Sequence, residues 1–134
     1  MLDAPSRGWD GIAASCGMKA AHIINLHPNC QGPFSEILGR AAVARAHRIS
    51  VMVGGTGYPG VGSWPHAHLA SLIGLDLPYG DICGARDHGF PESSALEMLP
   101  VEDGCFPVPD TPGHGGELNM DVVGKYTECS LDIP

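Results

Sequence analysis

The apolar positions of this chain follow two rhythms. His22–His27 (HIINLH) and Ile49–Val53 (ISVMV) are short, nearly continuous apolar runs. That is the pattern of strands covered on both faces, as in a parallel sheet. Trp9–Ala21 and Phe34–His47 space their apolar residues at helical intervals. The first predicted helix turns Ile12, Ala13, Cys16 and Ala20 inward, and is weakened by Gly11 and Gly17. The second turns Ile37, Leu38, Ala41, Ala42 and Val43 inward, with Ser35 as its N-cap. Arg45, His47 and Arg48 gather at its C-terminal end, where the helix dipole favours cations. Pro65 suits the first turn of a third helix, Pro65–Ile73. Leu75–Ile82 then reads as a third, weaker strand.

Leu2–Arg7, ahead of these, reads as the tail of a strand or a free terminus. Helix, strand, helix, strand, helix, strand with short connections is the signature of consecutive βα units on a parallel sheet. After Cys83 the rhythm is lost. Gly84–Leu96 reads as a polar loop. Asp103-Gly104 between two apolar stretches of Leu99–Pro109 signals a hairpin. Met120–Tyr126 suits a short helix. Three parallel strands alone would leave unpaired edges and wet apolar area, so this pattern asks for a larger sheet than the chain contains.

Composition narrows the partners. The 134 residues suit one domain, and 43% hydrophobic content supports a core. A net charge of −8 with 7 Lys and Arg argues against nucleic acid and anionic membranes. No apolar run approaches the roughly 18 residues of a membrane span. The first residues carry no basic-then-apolar signal pattern. Five cysteines with no CxxC pair fit reduced cytosolic thiols, so the expected location is cytoplasmic.

The richest stretch is Arg48–Gly62, a β-branched run followed by five glycines in nine residues. Gly55–Gly60 matches GxGxxG, and Asp76 lies 21 residues after Gly55, so a dinucleotide loop is one reading. Pro59 and Pro65 delay the helix whose first amides such a loop needs, and Asp76 precedes its strand rather than ending it. A tight loop near some other ligand is the competing reading. His27 ends the first predicted strand, the place where α/β sheets and barrels carry catalysis, and its imidazole suits acid/base work. A hydrogen-bonded histidine at a strand end is the plainer alternative. His66-x-His68 falls on a predicted helix, where i and i+2 do not share a face, so one packed and one exposed histidine are expected. Asp87-His88 follows the last strand and reads as a solvated loop. Glu102-Asp103 reads as an ordinary pair of turn acids.

VMVGGTGYPGVG (Val51–Gly62), HAHLAS (His66–Ser71) and above all VEDGCFPVPDTPGHGGELN (Val101–Asn119) resemble the C-terminal part of the mandelate racemase/muconate lactonizing enzyme family of the enolase superfamily. The resemblance runs from about Trp9 onward. Within it, His114 stands where the family's closing pattern has leucine, and Asn119 where it has an acid. The resemblance implies an α/β fold: a partial (β/α)8 barrel made of the last three βα units (residues 1–96) and a closing segment (97–134). It implies a Mg²⁺-dependent racemase, dehydratase or cycloisomerase, an isomerase or lyase that abstracts a proton α to the carboxylate of a small substrate. Under it, Asp3 ends the fifth strand as the last metal carboxylate. His27, 24 residues later, ends the sixth strand, where relatives often carry a lysine or another acid/base residue. Asp81 stands near the end of the eighth strand.

Several features depart from the family. Its paired glycines after the sixth strand appear as Gln31-Gly32. The seventh strand ends in Gly54-Gly55 without a histidine, so a mandelate racemase-like His–Asp dyad is not expected. The lysine-bearing second strand and two further metal carboxylates would lie upstream of Met1. The expectation is therefore a chain with little activity alone, which either completes the barrel with a complementary chain or by self-association, or is a truncated gene product. Two other readings stay open: the dinucleotide module, and a non-catalytic interaction module that uses its open sheet edge.

Overall fold

The computed structural model describes residues 1–3, 6–28, 30–55, 60–74, 76 and 91–131. Among these, the elements in chain order are α1 (Gly8–Gly17), β1 (Ile23–Leu26), α2 (Phe34–Ala46), β2 (Ser50–Val53), a 3₁₀ turn (Gly60–Gly62), α3 (Ser63–Ile73) and α4 (Met120–Tyr126). The third expected strand, Leu75–Ile82, lies outside the described residues except for Asp76. So do Asp81, Asp87 and His88.

β1 and β2 run parallel, from Ile23 opposite Ser50 to Leu26 opposite Val53. Leu2 forms a parallel bridge to Ile24. Its amide donates to the Ile23 carbonyl and its carbonyl accepts from the Asn25 amide, each at 2.9 Å. Leu2 therefore pairs alongside β1 through an isolated bridge. Each βα connection returns the chain for another parallel strand, as the alternating pattern requires.

Strand alternation divides the sheet into two faces. Ile24, Leu26, Val51 and Val53 pack with Ile12 and Cys16 of α1, Ile37, Ala41 and Ala44 of α2, and Leu69, Ala70 and Ile73 of α3. By the same alternation Asn25, His27, Met52 and Gly54 take the opposite face, and all four are buried. One face is thus the hydrophobic seam, and the other carries the polar groups.

The helices match expectation in place but differ in detail. α1 stops at Gly17, with Met18 and Lys19 already turning, and Lys19 has φ 50°. Ala20 therefore lies beyond the helix and is exposed, as is Ala13, while Ser15 is buried instead. α2 has Pro33, not Ser35, at its N-cap. Its buried stripe is Ile37, Arg40, Ala41 and Ala44, with Ala42 exposed. Arg40 is 3% exposed. Its guanidinium lies 5.3 Å from the Trp9 ring centroid, donates to the Gln31 carbonyl and pairs with Glu36. Trp9 crosses α2 at Gly39, where a Cβ would come within 2.7 Å of the indole.

The closing segment packs on α3. Trp64, Ala67 and Leu99 form a second apolar cluster, flanked by Phe106. A Cβ on Gly116 would lie 2.2 Å from Trp64, so glycine here allows the backbone to lie flat on the indole. The segment doubles back on itself: Leu96 donates to Glu117 and Asn119 to Ser94, at 2.9 and 2.8 Å. The Asp103-Gly104 turn forms as expected, with φ 49° and 78° and reciprocal Glu102–Cys105 hydrogen bonds of 2.8 Å. It carries only an isolated bridge, not a strand pair. α4 spans Met120–Tyr126, as its pattern suggested, and Asn119 caps it by accepting from the Val122 amide.

Candidate functional site at the strand ends

Parallel strands leave their C-terminal carbonyl ends on one side of the sheet. Here that side collects Asp3 after the Leu2 bridge, His27 directly after β1, and Gly54-Gly55 after β2. Asn25 and His27 are two apart on one strand, so both side chains leave the same face.

The His27 ring is held at one nitrogen. Its Nε2 lies 2.9 Å from the Asn25 side-chain amide and 3.2 Å from Asp3 Oδ2. The His27 side chain is only 4% exposed, against 45% for Asp3. Asn25 fits here because the residue just beyond β2 is a glycine. A Cβ on Gly54 would sit 2.4 Å from Asn25 Oδ1. Gln31 closes the arrangement from the loop after β1, its side-chain amide donating to the Asn25 carbonyl at 3.4 Å. Asp3 Oδ1, Asn25 Oδ1 and His27 Nδ1 are buried without a hydrogen-bond partner.

α3 brings a second imidazole to this centre. His66 is 2% exposed. Its pKa is lowered to about 4, first by burial and then by the charge of nearby His27. His68 faces outward and meets the His114 carbonyl at 3.1 Å. One packed and one outward histidine is what helical spacing dictates for the pair. Sequence reasoning missed Asn25 and His66 as members of this centre. The signal for Asn25 was present, since it lies two residues before a strand-end histidine. His66 carried none, because which helix face meets the strand ends is set by packing.

The glycine loop takes a different role from phosphate binding. α3 begins at Ser63, after the 3₁₀ turn that starts at Gly60. A Cβ on Gly60 would lie 2.2 Å from Ser93 Oγ and 3.1 Å from Ala95, so this glycine makes room for the closing segment. Residues 56–59 lie outside the described residues. Asp76, the candidate ribose acid, sits at the other end of the sheet. Its Oδ2 accepts from the Val51 amide at 2.9 Å and from Arg45 Nε at 3.1 Å. The Val51 amide, then Arg45, holds this carboxyl below its ordinary pKa range.

Parallel strands with acid, imidazole and amide groups at their C-terminal ends define the class: an α/β protein whose chemistry belongs at the strand ends. The chain belongs to the family described as "Enolase C-terminal domain-like", whose model matches residues 6–122. An o-succinylbenzoate synthase from Bacillus subtilis is 30% identical over 132 residues, 98% of this chain and 35% of that protein. An enolase-superfamily member from Listeria innocua superposes with a TM-score of 0.82 at 27% identity, over 96% of this chain and 34% of that one. An N-succinyl Arg/Lys racemase from Bacillus cereus shares the fold, with a TM-score of 0.81 at 19% identity, over 96% of this chain and 34% of that one. The chain thus spans about a third of the length of these relatives.

The residues were tested against the Mg²⁺ that the resemblance implies. Asp3 offers one carboxylate, and its Oδ2 is already engaged by His27. Among the described residues no group of three or more His, Cys, Asp or Glu side chains could hold a metal. Mg²⁺ needs near-octahedral oxygen ligation. The described residues do not provide it on their own. Among the described residues no helix is long and apolar enough to cross a membrane.

Proposed function

We propose that this chain is the finishing arc of an enolase-superfamily barrel, in which His27 exchanges a proton with the carbon α to a carboxylate. The activity class is racemase, dehydratase or cycloisomerase. The observation that carries the reading is the placement of His27. It is buried at the C-terminal end of β1 and its Nε2 is gripped by Asp3 and Asn25. A general acid/base must be fixed in position, and imidazole is the side chain most often used for that work. Similarity to an o-succinylbenzoate synthase, at 30% identity, supports a small carboxylate as substrate. Asp81, which lies outside the described residues, is proposed as the second catalytic residue on the resemblance alone.

The missing parts are proposed to come from elsewhere. A capping domain, the earlier strands and their carboxylates would be supplied by a complementary polypeptide, or by self-association. Mg²⁺ belongs to that completed barrel. The test is to purify the chain alone and together with a polypeptide carrying a capping domain and the first strands. α-Proton exchange of small carboxylates, including o-succinylbenzoate precursors, is followed in D₂O with Mg²⁺. Exchange is expected only in the mixture, and is lost in His27→Gln. Exchange unaffected by His27→Gln refutes the role of His27. Tight 1:1 Mg²⁺ binding by the pure chain in calorimetry refutes the need for completion.

A further inference from the structure

The closing segment carries two acids beside a buried indole. We propose that the cavity between α3 and this segment binds an alkyl guanidinium or ammonium group with a neighbouring carbonyl, the chemistry of an arginine or lysine derivative. The proposal goes beyond the acid/base reading of His27 and does not depend on it.

The cavity has a volume of about 240 Å³ and is lined by Trp64, Leu96, Glu97, Gly115 and Glu117. Backbone pairing builds its rim. Ala95 and Leu118 form an antiparallel bridge, and the Leu96 amide donates to the Glu117 carbonyl at 2.9 Å. Two stretches about twenty residues apart are thereby held side by side, and each brings one carboxylate to the same cavity. Trp64 forms the inner wall from the first turn of α3, anchored by its packing with Ala67 and Leu99. Gly116 lets the backbone lie against the indole, since a Cβ there would come within 2.2 Å of Cδ1 and 2.6 Å of Nε1.

Three features select the ligand. The first is charge. Among the described residues neither Glu97 nor Glu117 belongs to an ion pair. Lys125 is the only Lys or Arg in residues 91–131, and it pairs with Glu92 at 2.7 Å. Two carboxylates at one cavity disfavour each other's charge, and a cation between them relieves that. The second is the wall. Leu96 is 58% exposed, so an apolar stem gains by covering it. The indole attracts a guanidinium or ammonium held over its face. The third is Trp64 Nε1, which can only donate. The side chain belongs to a residue 8% exposed, and Nε1 has no hydrogen-bond partner. It lies against Gly116, between the cavity-lining Gly115 and Glu117, so a ligand carbonyl on that side supplies the acceptor that a buried indole N–H ordinarily finds. An anion meets two carboxylates here, and a bare metal ion brings neither stem nor acceptor.

The test uses the full chain labelled with ¹⁵N. Its two tryptophans give two indole N–H signals, and that of Trp64 is assigned with Trp64→Phe. N-acetyl-arginine methylamide is the probe, and the citrulline analogue is its neutral isostere. The arginine derivative is expected to move the Trp64 signal saturably and to leave that of Trp9 in place. Losing the charge-assisted contacts should weaken binding about tenfold or more, both for the citrulline analogue and for the Glu97→Gln/Glu117→Gln variant. Glu102→Gln should bind as wild type does, and amide spectra check that each variant keeps the fold. The same arginine within a Gly-Arg-Gly peptide separates the sources: tighter binding by the peptide assigns the cavity to a polypeptide side chain, and tighter binding by the derivative to a free small molecule. The proposal is overturned if the Trp64 signal shows no saturable shift, if citrulline binds as well as arginine, or if the double variant binds unchanged.

Discussion

Gly54 shows how much one missing methyl group decides. It follows β2, and the space its Cβ would occupy holds the Asn25 amide at 2.4 Å. Gly54→Ala therefore forces Asn25 off the His27 ring. We expect a loss of about 1–3 kcal/mol, typical of overpacking, in urea denaturation. The His27 ring signals should move in the same variant. His66 offers a pH dependence with a definite sign. Its folded pKa is lowered to about 4 from 6.5, so the unfolded chain takes up the proton first. Stability from this group is whole above about pH 6.5, drains as pH falls toward 4, and loses little more below that. Calorimetry across this window should show a falling Tm for the wild type and a shallower fall for His66→Gln. An identical slope would mean that His66 is solvated.

Among the elements, α2 is tied down by a residue that its pattern hides. Arg40 falls in the inward stripe, and a charge there reads from sequence as a surface position. It is tolerated because its guanidinium has the Gln31 carbonyl, Glu36 and the Trp9 ring around it. Arg40→Ala removes both the packing and the hydrogen bond to the Gln31 carbonyl. We expect a loss of about 2–4 kcal/mol in chemical denaturation, below the upper range for buried pairs because Glu36 is partly solvated. Arg40→Lys should recover only part of it, since an ammonium cannot serve both partners in one plane. α4 is the contrasting case. No residue in it is buried, and it is held by the Asn119 cap and the Lys125–Glu92 ion pair. Asn119→Ala should cost about 1 kcal/mol locally. Faster amide exchange at Val122, with an unchanged global Tm, is the expected signature.

At the scale of the molecule, the described part of the sheet is small. The described sheet has two strands and a one-residue bridge. Large apolar side chains such as Met1 and Leu72 stand 71% and 65% exposed. An isolated sheet this small is marginal, and covering it is favourable. On the proposed reading, a completing polypeptide should slow amide exchange at Ile23–Leu26 and raise the Tm with the logarithm of its concentration once it is in excess over Kd. If β1 exchange is unchanged in the mixture, the two do not share a sheet.

The helix and strand order was legible because periodicity is a local property. Phe34–Ala46 and Met120–Tyr126 follow from spacing alone. The GxGxxG spacing does not reveal that a Cβ on Gly60 would collide with Ser93 and Ala95. Asp76 likewise matched a distance along the chain while lying at the wrong end of a strand. His27 was legible from its place at a strand end. Its partners were not, since Asp3 reaches it across strands and Asn25 needs the gap at Gly54.

What the sequence determined by itself was the alternation of βα units, the strand that ends in His27, and the closing segment that marks the family. What only the tertiary structure decided was which polar groups meet. The missing Cβ at Gly54 left room for Asn25, helix packing set His66 near His27, and the bridge at Leu2 placed Asp3 beside Nε2. The reason is physical: hydrophobic period is written along the chain, whereas a hydrogen bond between distant residues exists only once the core has fixed their separation.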